Sequence, residues 1–324
     1  MIAGILYQKL NEGFIDQNAF IVGLVMGLCF GVLELFLITK LNNKLKILPI
    51  VSIILIKTFI YTLIIYFIAN VLGLVVGFFE GKTIDEFYSS LLQPFQFYLV
   101  LYSLGIFSVM IFFMQISRLL GEGVLLKFLF GKYNKPVEEE RIFMFLDIKS
   151  STTFAEKLGH KKFYSLLNTF FHHISEPVIT TKAEIYQYVG DEVVFTWKTE
   201  NGIKNLNCLQ IFFLIKEKIE LNHKLYLSEY GVIPEFKAGL HFGKVISAQI
   251  GDLKREIVFN GDVVNTTSRI QELCSDYNRE LLVSGDLWSC LKDIPEYFIQ
   301  ENLGKIKIKG KEEEINIYSI RQKI

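Results

Sequence analysis

Three stretches, 19–38, 48–68 and 97–116, are each long and apolar enough to cross a bilayer, and they constrain this 324-residue chain most. A backbone in lipid must satisfy its own hydrogen bonds, so single apolar runs of this length can only be helices. The second run can extend towards Phe79. Nearly all the charge lies after Gly131. The reading is therefore a membrane domain at 1–118, a juxtamembrane helix and linker at 119–139, and a soluble domain at 140–324.

Flanking charge orients the spans. Lys40, Lys44 and Lys46 follow the first run, whereas Glu80, Asp85 and Glu86 outnumber Lys82 before the third. Arg118, Lys127, Lys132 and Lys135 follow the third. The positive-inside rule then puts the N-terminus outside and the soluble domain in the cytoplasm of an integral membrane protein. Residues 1–10 are too short to span, and the missing basic n-region argues against a cleaved signal peptide. Gly23, Gly27 and Gly31 recur every four residues. They form either a small-residue face for helix association or the ordinary glycine content of a membrane helix. Glu34 and Lys57 are expected to face the bundle interior and to pair.

The junction 119–133 is amphipathic, Pro136 breaks it, and Glu138-Glu-Glu140 is expected to be a solvated linker. It is either a passive tether or a stiff element that passes on helix rearrangement. Zero net charge offers nothing for nucleic acid, and none is expected as a partner. Cys29, Cys208, Cys274 and Cys290 are scattered, without disulfide or zinc spacing.

Within the soluble domain, two β-rich runs across 185–197 flank Gly190-Asp191, the pattern of a hairpin with a carboxylate at its tip. Gly190 keeps the backbone there open to close approach. A second strand, 141–148, runs into Asp147. Either Asp alone is an ordinary turn residue; together, at adjacent strand ends, they suit a phosphate site with two cations. Helices are predicted at 151–159, capped by Thr152 or Thr153, and at 162–181. His172-His173 in the latter lack the spacing of a metal pair and read as surface residues. A long helical pattern covers 202–228, and a second hairpin is predicted over 235–250, turning at Phe242-Gly-Lys244. A strand at 256–259, a helix at 263–277 and strands at 280–284, 304–309 and 315–320 follow. The order is that of an α+β, ferredoxin-like βαββαβ layer with extra β-strands. On the 263–277 helix, Asn265 and Arg269 share one face at i and i+4. An amide and a guanidinium suit ribose hydroxyls or phosphate oxygens; the plainer reading is a capped helix with one exposed Arg.

Four ordered blocks carry a resemblance. They are Phe145-Leu-Asp-Ile-Lys-Ser-Ser-Thr152, Tyr188-Val-Gly-Asp-Glu192, Gly239-Leu-His-Phe-Gly243 and Asn260-Gly-Asp-Val-Val-Asn-Thr-Thr-Ser-Arg269. From about Glu140 to Ile320 the chain resembles the catalytic domain of class III nucleotidyl cyclases, the adenylate and guanylate cyclases. The resemblance implies two Mg²⁺ or Mn²⁺ ions held by Asp147, Asp191 and the carbonyl of Ile148, activating the ribose 3′-hydroxyl and neutralising pyrophosphate. It implies that Asn265 positions the ribose and Arg269 stabilises the pentavalent phosphorus. Lys309, more than Lys307, would meet the β- and γ-phosphates, with Gly190 and Thr152 also assigned to substrate. It further implies a homodimer with each site shared between chains, the Asp pair from one and the Asn/Arg pair from the other. The two base-reading positions hold Gln187 and Val258, which departs from the pairs usual in the family. Gln both donates and accepts, so ATP, favoured as the commoner substrate, and GTP both stay open. A diguanylate cyclase fits the Asp147 and Asn265/Arg269 blocks poorly. A catalytically silent dimerisation or nucleotide-sensing module is the non-enzymatic alternative.

Overall fold

The computed structural model describes residues 48–79, 94–121, 123–308 and 313–323, with single positions at 27, 31, 81, 83, 85, 86, 89 and 311. The chain divides into two compact units, Met1–Leu125 and Leu126–Ile324.

In the first unit, α1 (Ile50–Phe79) packs on α2 (Pro94–Leu120) through Tyr61, Ile65, Phe107 and Ile111. Tyr61 meets Phe107 edge to face at 5.7 Å. Leu55, Phe59, Leu63 and Phe67 lie on the outside, with Phe112 and Phe113. Apolar side chains thus coat the outer surface as well as the contact. Both helices are long and apolar enough to cross a membrane, by length and composition. Lys57 is only 1% exposed, turned inward as expected of an ionisable residue in such a segment. Glu34, the 19–38 run and Gly23 lie outside the described residues, and Gly27 and Gly31 are single helical positions that do not test the glycine face.

The amphipathic stretch at 119–133 is not one helix. It contains the short α3 (Val124–Leu129), bracketed by Gly121 and Gly131 at positive φ. Then β1 (Val137–Ile148) begins, so the acidic run is strand rather than linker; Glu138 and Glu140 are exposed as expected, whereas Glu139 is half-buried. The reason is pairing. Glu139 takes Lys132 Nζ at 2.8 Å, Arg141 Nε at 3.0 Å, the Tyr133 hydroxyl and the Ser247 hydroxyl. Burial opposes its ionisation, but Lys132 and Arg141 outweigh that and bring its pKa to about 2. Arg141 itself is fully buried, between Glu139 and Glu184 and 4.5 Å from the Phe259 ring.

Beyond β1 come α4 (Ser151–Leu158), α5 (His160–His173), α6 (Ser175–Thr180), β2 (Glu184–Val189) and β3 (Glu192–Lys198). The α4 cap is Ser150, in the left-handed region with φ 57°, so Thr152 and Thr153 lie in the first turn instead. The 202–228 pattern is broken at Asn205 and Leu206, both at positive φ, and again at Asn222, giving α7 (Thr199–Ile203), α8 (Asn207–Leu221) and α9 (His223–Tyr230). The remainder is β4 (Phe236–Ile250), β5 (Glu256–Asn260), α10 (Asp262–Asp276), β6 (Leu281–Ser284), α11 (Gly285–Cys290), β7 (Phe298–Lys307) and β8 (Glu314–Gln322).

The strands form one sheet in the order β2-β3-β1-β4-β6-β8-β7, with β5 paired to β4. The first four give the antiparallel split-βαβ layer expected from the sequence. Because side chains alternate, even positions of β1 (Ile142, Met144, Leu146, Ile148) enter the main core with α5 and α8. Odd positions Phe143 and Phe145 join Val245, Phe259 and Val263 on the opposite face, the α10 face. Asp147 continues that odd series.

The predicted hairpin at 235–250 is instead one 15-residue strand, β4, paired with β1 from Phe236 to Ser247. Gly243 does not turn the chain. A Cβ there would lie 2.7 Å from Val263 Cγ2, and one on Gly239 would overlap the backbone of Gln271. The two glycines let α10 rest directly on β4. Gly239→Ala is therefore expected to destabilise the domain by about 1–3 kcal/mol, seen as a Tm several degrees lower, because helix backbone cannot step aside cheaply.

Candidate active site

Strand register builds the site. Asp147, at the end of β1, is paired with Glu192 of β3 and with Lys237 of β4. The tight connection from β2 to β3 places Asp191 beside it, with Gly190 at φ 65° as the turn requires. Burial first, then the neighbouring Asp191 carboxylate, pushes the Asp147 pKa up to about 6, against the pull of Lys237. Burial, Asp147 and Asp191 likewise raise Glu192 to about 7. Among the described residues Asp191 Oδ2 is buried and has no hydrogen-bond partner. A crowded pair of carboxylates with an orphaned buried oxygen is a donor set that would fit a divalent cation. Among the described residues no group of three or more His, Cys, Asp or Glu side chains is placed to hold a metal ion.

Other side chains hold Asp147 from behind. Gln271 Nε2 donates to its Oδ2 at 3.3 Å, and Lys237 Nζ lies 3.5 Å from the same oxygen. Neither residue stands out in the sequence. The signal for Lys237 is its parity with Gly239 along β4, legible only once the β1–β4 register is known.

Asn265 and Arg269 are elsewhere. Thr267, Ile270, Gln271 and Cys274 form the buried face of α10, while Asn265 is exposed. Arg269 forks its Nη1 onto both oxygens of Glu272 at 2.7 and 2.8 Å. Among the described residues no hydrogen bond or ion pair joins either side chain to Asp147 or Asp191.

Gln187 is exposed on β2, just past a bulge at Tyr186, and Val258 is half-buried on β5. Thr152 is exposed in the first turn of α4, and Ile148 is buried. Lys309 lies outside the described residues. From the same β7–β8 connection, Lys311 reaches Asp262 at the start of α10, at 2.7 Å. His241, in the third block, is buried against Ser284 Oγ at 2.8 Å, and burial lowers its pKa to about 4. It is a neutral packing residue. His172 is exposed as expected, whereas His173 is half-buried, its Nδ1 2.7 Å from the Tyr226 hydroxyl.

Residues 134–322 match the family described as the adenylate and guanylate cyclase catalytic domain. The chain belongs to that family. It is a nucleotidyl cyclase, and its substrate is a nucleotide. The cyclase is 34% identical over 263 residues to "Adenylate cyclase 2" of Rhizobium meliloti (strain 1021), covering 81% of this chain and 70% of that one. In fold it is similar to a bacterial light-regulated adenylyl cyclase, with TM-score 0.56 and 23% identity over 68% of this chain and 65% of the other. It is also similar to the adenylyl cyclase CyaB from P. aeruginosa, with TM-score 0.51 and 18% identity over 59% of this chain and 97% of the other.

Proposed function

We propose that this cyclase is a membrane-anchored adenylate cyclase converting ATP to 3′,5′-cyclic AMP and pyrophosphate at sites shared by a homodimer. Residues 1–118 anchor it in the cell membrane with the N-terminus outside, 119–139 link, and 140–324 catalyse in the cytoplasm. The observation that carries the reading is Asp191 Oδ2, buried and unpartnered beside Asp147, while Asn265 and Arg269 extend from the other side of α10. A site split in this way is completed by a second copy.

Asp147, Asp191 and the Ile148 carbonyl hold two divalent cations, Mg²⁺ or Mn²⁺. When bound, these supply Lewis acidity towards the ribose 3′-hydroxyl and the triphosphate oxygens. The second chain's α10 contributes the rest. Its Asn265 orients the ribose for in-line attack on the α-phosphorus, and its Arg269 leaves Glu272 to fork onto the phosphoryl oxygens as charge builds there. Lys309 neutralises the β- and γ-phosphates, with Gly190 and Thr152 lining the triphosphate. Gln187 contacts the base edge, and Val258 packs against its ring.

Substrate identity follows the relative of highest identity named here, an adenylate cyclase. The second reading is a guanylate cyclase, left open by Gln187, whose amide both donates and accepts and so can meet either base. The test is the purified full-length chain in detergent with Mn²⁺ and ATP or GTP, with cyclic product and pyrophosphate quantified. Cyclic AMP formed several-fold faster supports the proposal. A preference for GTP reverses the base assignment, and no product from folded dimer leaves only the silent module.

A further inference from the structure

The cation nearest the carboxylate pair comes from the chain itself. Lys237 projects from β4 on the same face as Asp147, its direct cross-strand partner, and is 17% exposed. Its ammonium sits between two seats. It bonds Ser275 Oγ of α10 at 2.7 Å, and it is 3.5 Å from Asp147 Oδ2. The shorter contact is to the neutral hydroxyl, so the ammonium can leave the carboxylate and keep its strong hydrogen bond. Gln271 Nε2, on the adjoining turn of α10, holds Oδ2 at 3.3 Å and fixes the carboxylate while that happens.

We propose that Lys237 is a built-in counter-cation that occupies Asp147 until a divalent cation displaces it, with Ser275 as the seat to which it withdraws. The inference rests on the reading of Asp147 as a metal-binding residue. Lys237 is a positioning residue and sets how strongly the site discriminates between empty and loaded states. Its charge offsets the repulsion among Asp147, Asp191 and Glu192 in the empty site, and it opposes entry of a second positive charge. The ammonium and an arriving dication repel each other until the ammonium withdraws. Withdrawal onto Ser275 reduces this, and a net effect near tenfold in affinity is expected.

The test is Mn²⁺ binding to the full-length chain without nucleotide, followed by electron paramagnetic resonance of the free ion. All variants are compared at one pH, 8.5. K237Q is expected to bind Mn²⁺ about three- to tenfold more tightly than wild type. K237R, which keeps the cation, is expected to stay within about twofold. Binding by K237Q that is unchanged or weaker, in a chain with wild-type circular dichroism, overturns the proposal. Wild type that binds no Mn²⁺ overturns the metal reading of Asp147 and this inference with it. Wild type that binds, with an unaltered K237Q, overturns this inference alone.

Discussion

Asp147→Asn is expected to abolish turnover, by about a thousandfold or more, and yet to leave the enzyme at least as stable as wild type. The loss follows from the proposed chemistry, since the substitution removes one of the two carboxylates that hold the cations. The retained stability follows from electrostatics. Burial and Asp191 raise the folded-state pKa of Asp147 to about 6. A carboxylate so raised contributes stability that is full below its unfolded pKa and lost as pH rises through the folded one. At pH 7–8 the ionised Asp147 is thus a net burden on the metal-free fold, despite Lys237, and a neutral amide relieves it. Asp191→Asn is expected to lose turnover to the same extent. The check is product formation alongside thermal unfolding without metal. Activity lost together with a lower Tm would make Asp147 a packing residue instead.

Arg269→Ala is expected to lower kcat by about a hundredfold or more, with little change in metal-free stability. Its side chain is bonded to Glu272 one turn along the same helix, a solvent-exposed i,i+3 pair of the kind that contributes little to folding. Its value lies in the transition state, where the planar fork can hold two phosphoryl oxygens at once. Arg269→Lys keeps the charge but not the fork and is expected to recover only a small part of the loss. Asn265→Ala is expected to fall between, through misorientation of the ribose. Steady-state kinetics with the metal at saturation separate these effects from metal binding.

Much of this was legible in the sequence because alternation and turn chemistry are local. The βαββαβ order, the Gly190-Asp191 hairpin and the end of β1 at Asp147 all follow from strand patterning and turn-forming residues. Where sequence reasoning failed, a distant partner had changed the meaning of a residue. Gly243 looked like a turn but is a contact surface for Val263, so a predicted hairpin became one strand. Glu139 looked solvated but lies among Lys132, Arg141 and Ser247, the last more than a hundred residues away. Lys237 and Gln271 were invisible because their importance depends on register and on which side of α10 meets the sheet. Asn265 and Arg269 were found as a pair, whereas their orientation away from Asp147 needed the fold.

The most direct test of a catalytic site divided between two chains is to mix two inactive ones. Asp147→Ala and Arg269→Ala chains, co-expressed with separate tags and purified through both, give dimers with one site carrying both lesions and one carrying neither. Random assortment before selection is expected to restore about a quarter of wild-type activity, and doubly tagged dimers about half, because one site in two is intact. Mixed dimers that assemble but stay as inactive as either parent would contradict the shared site.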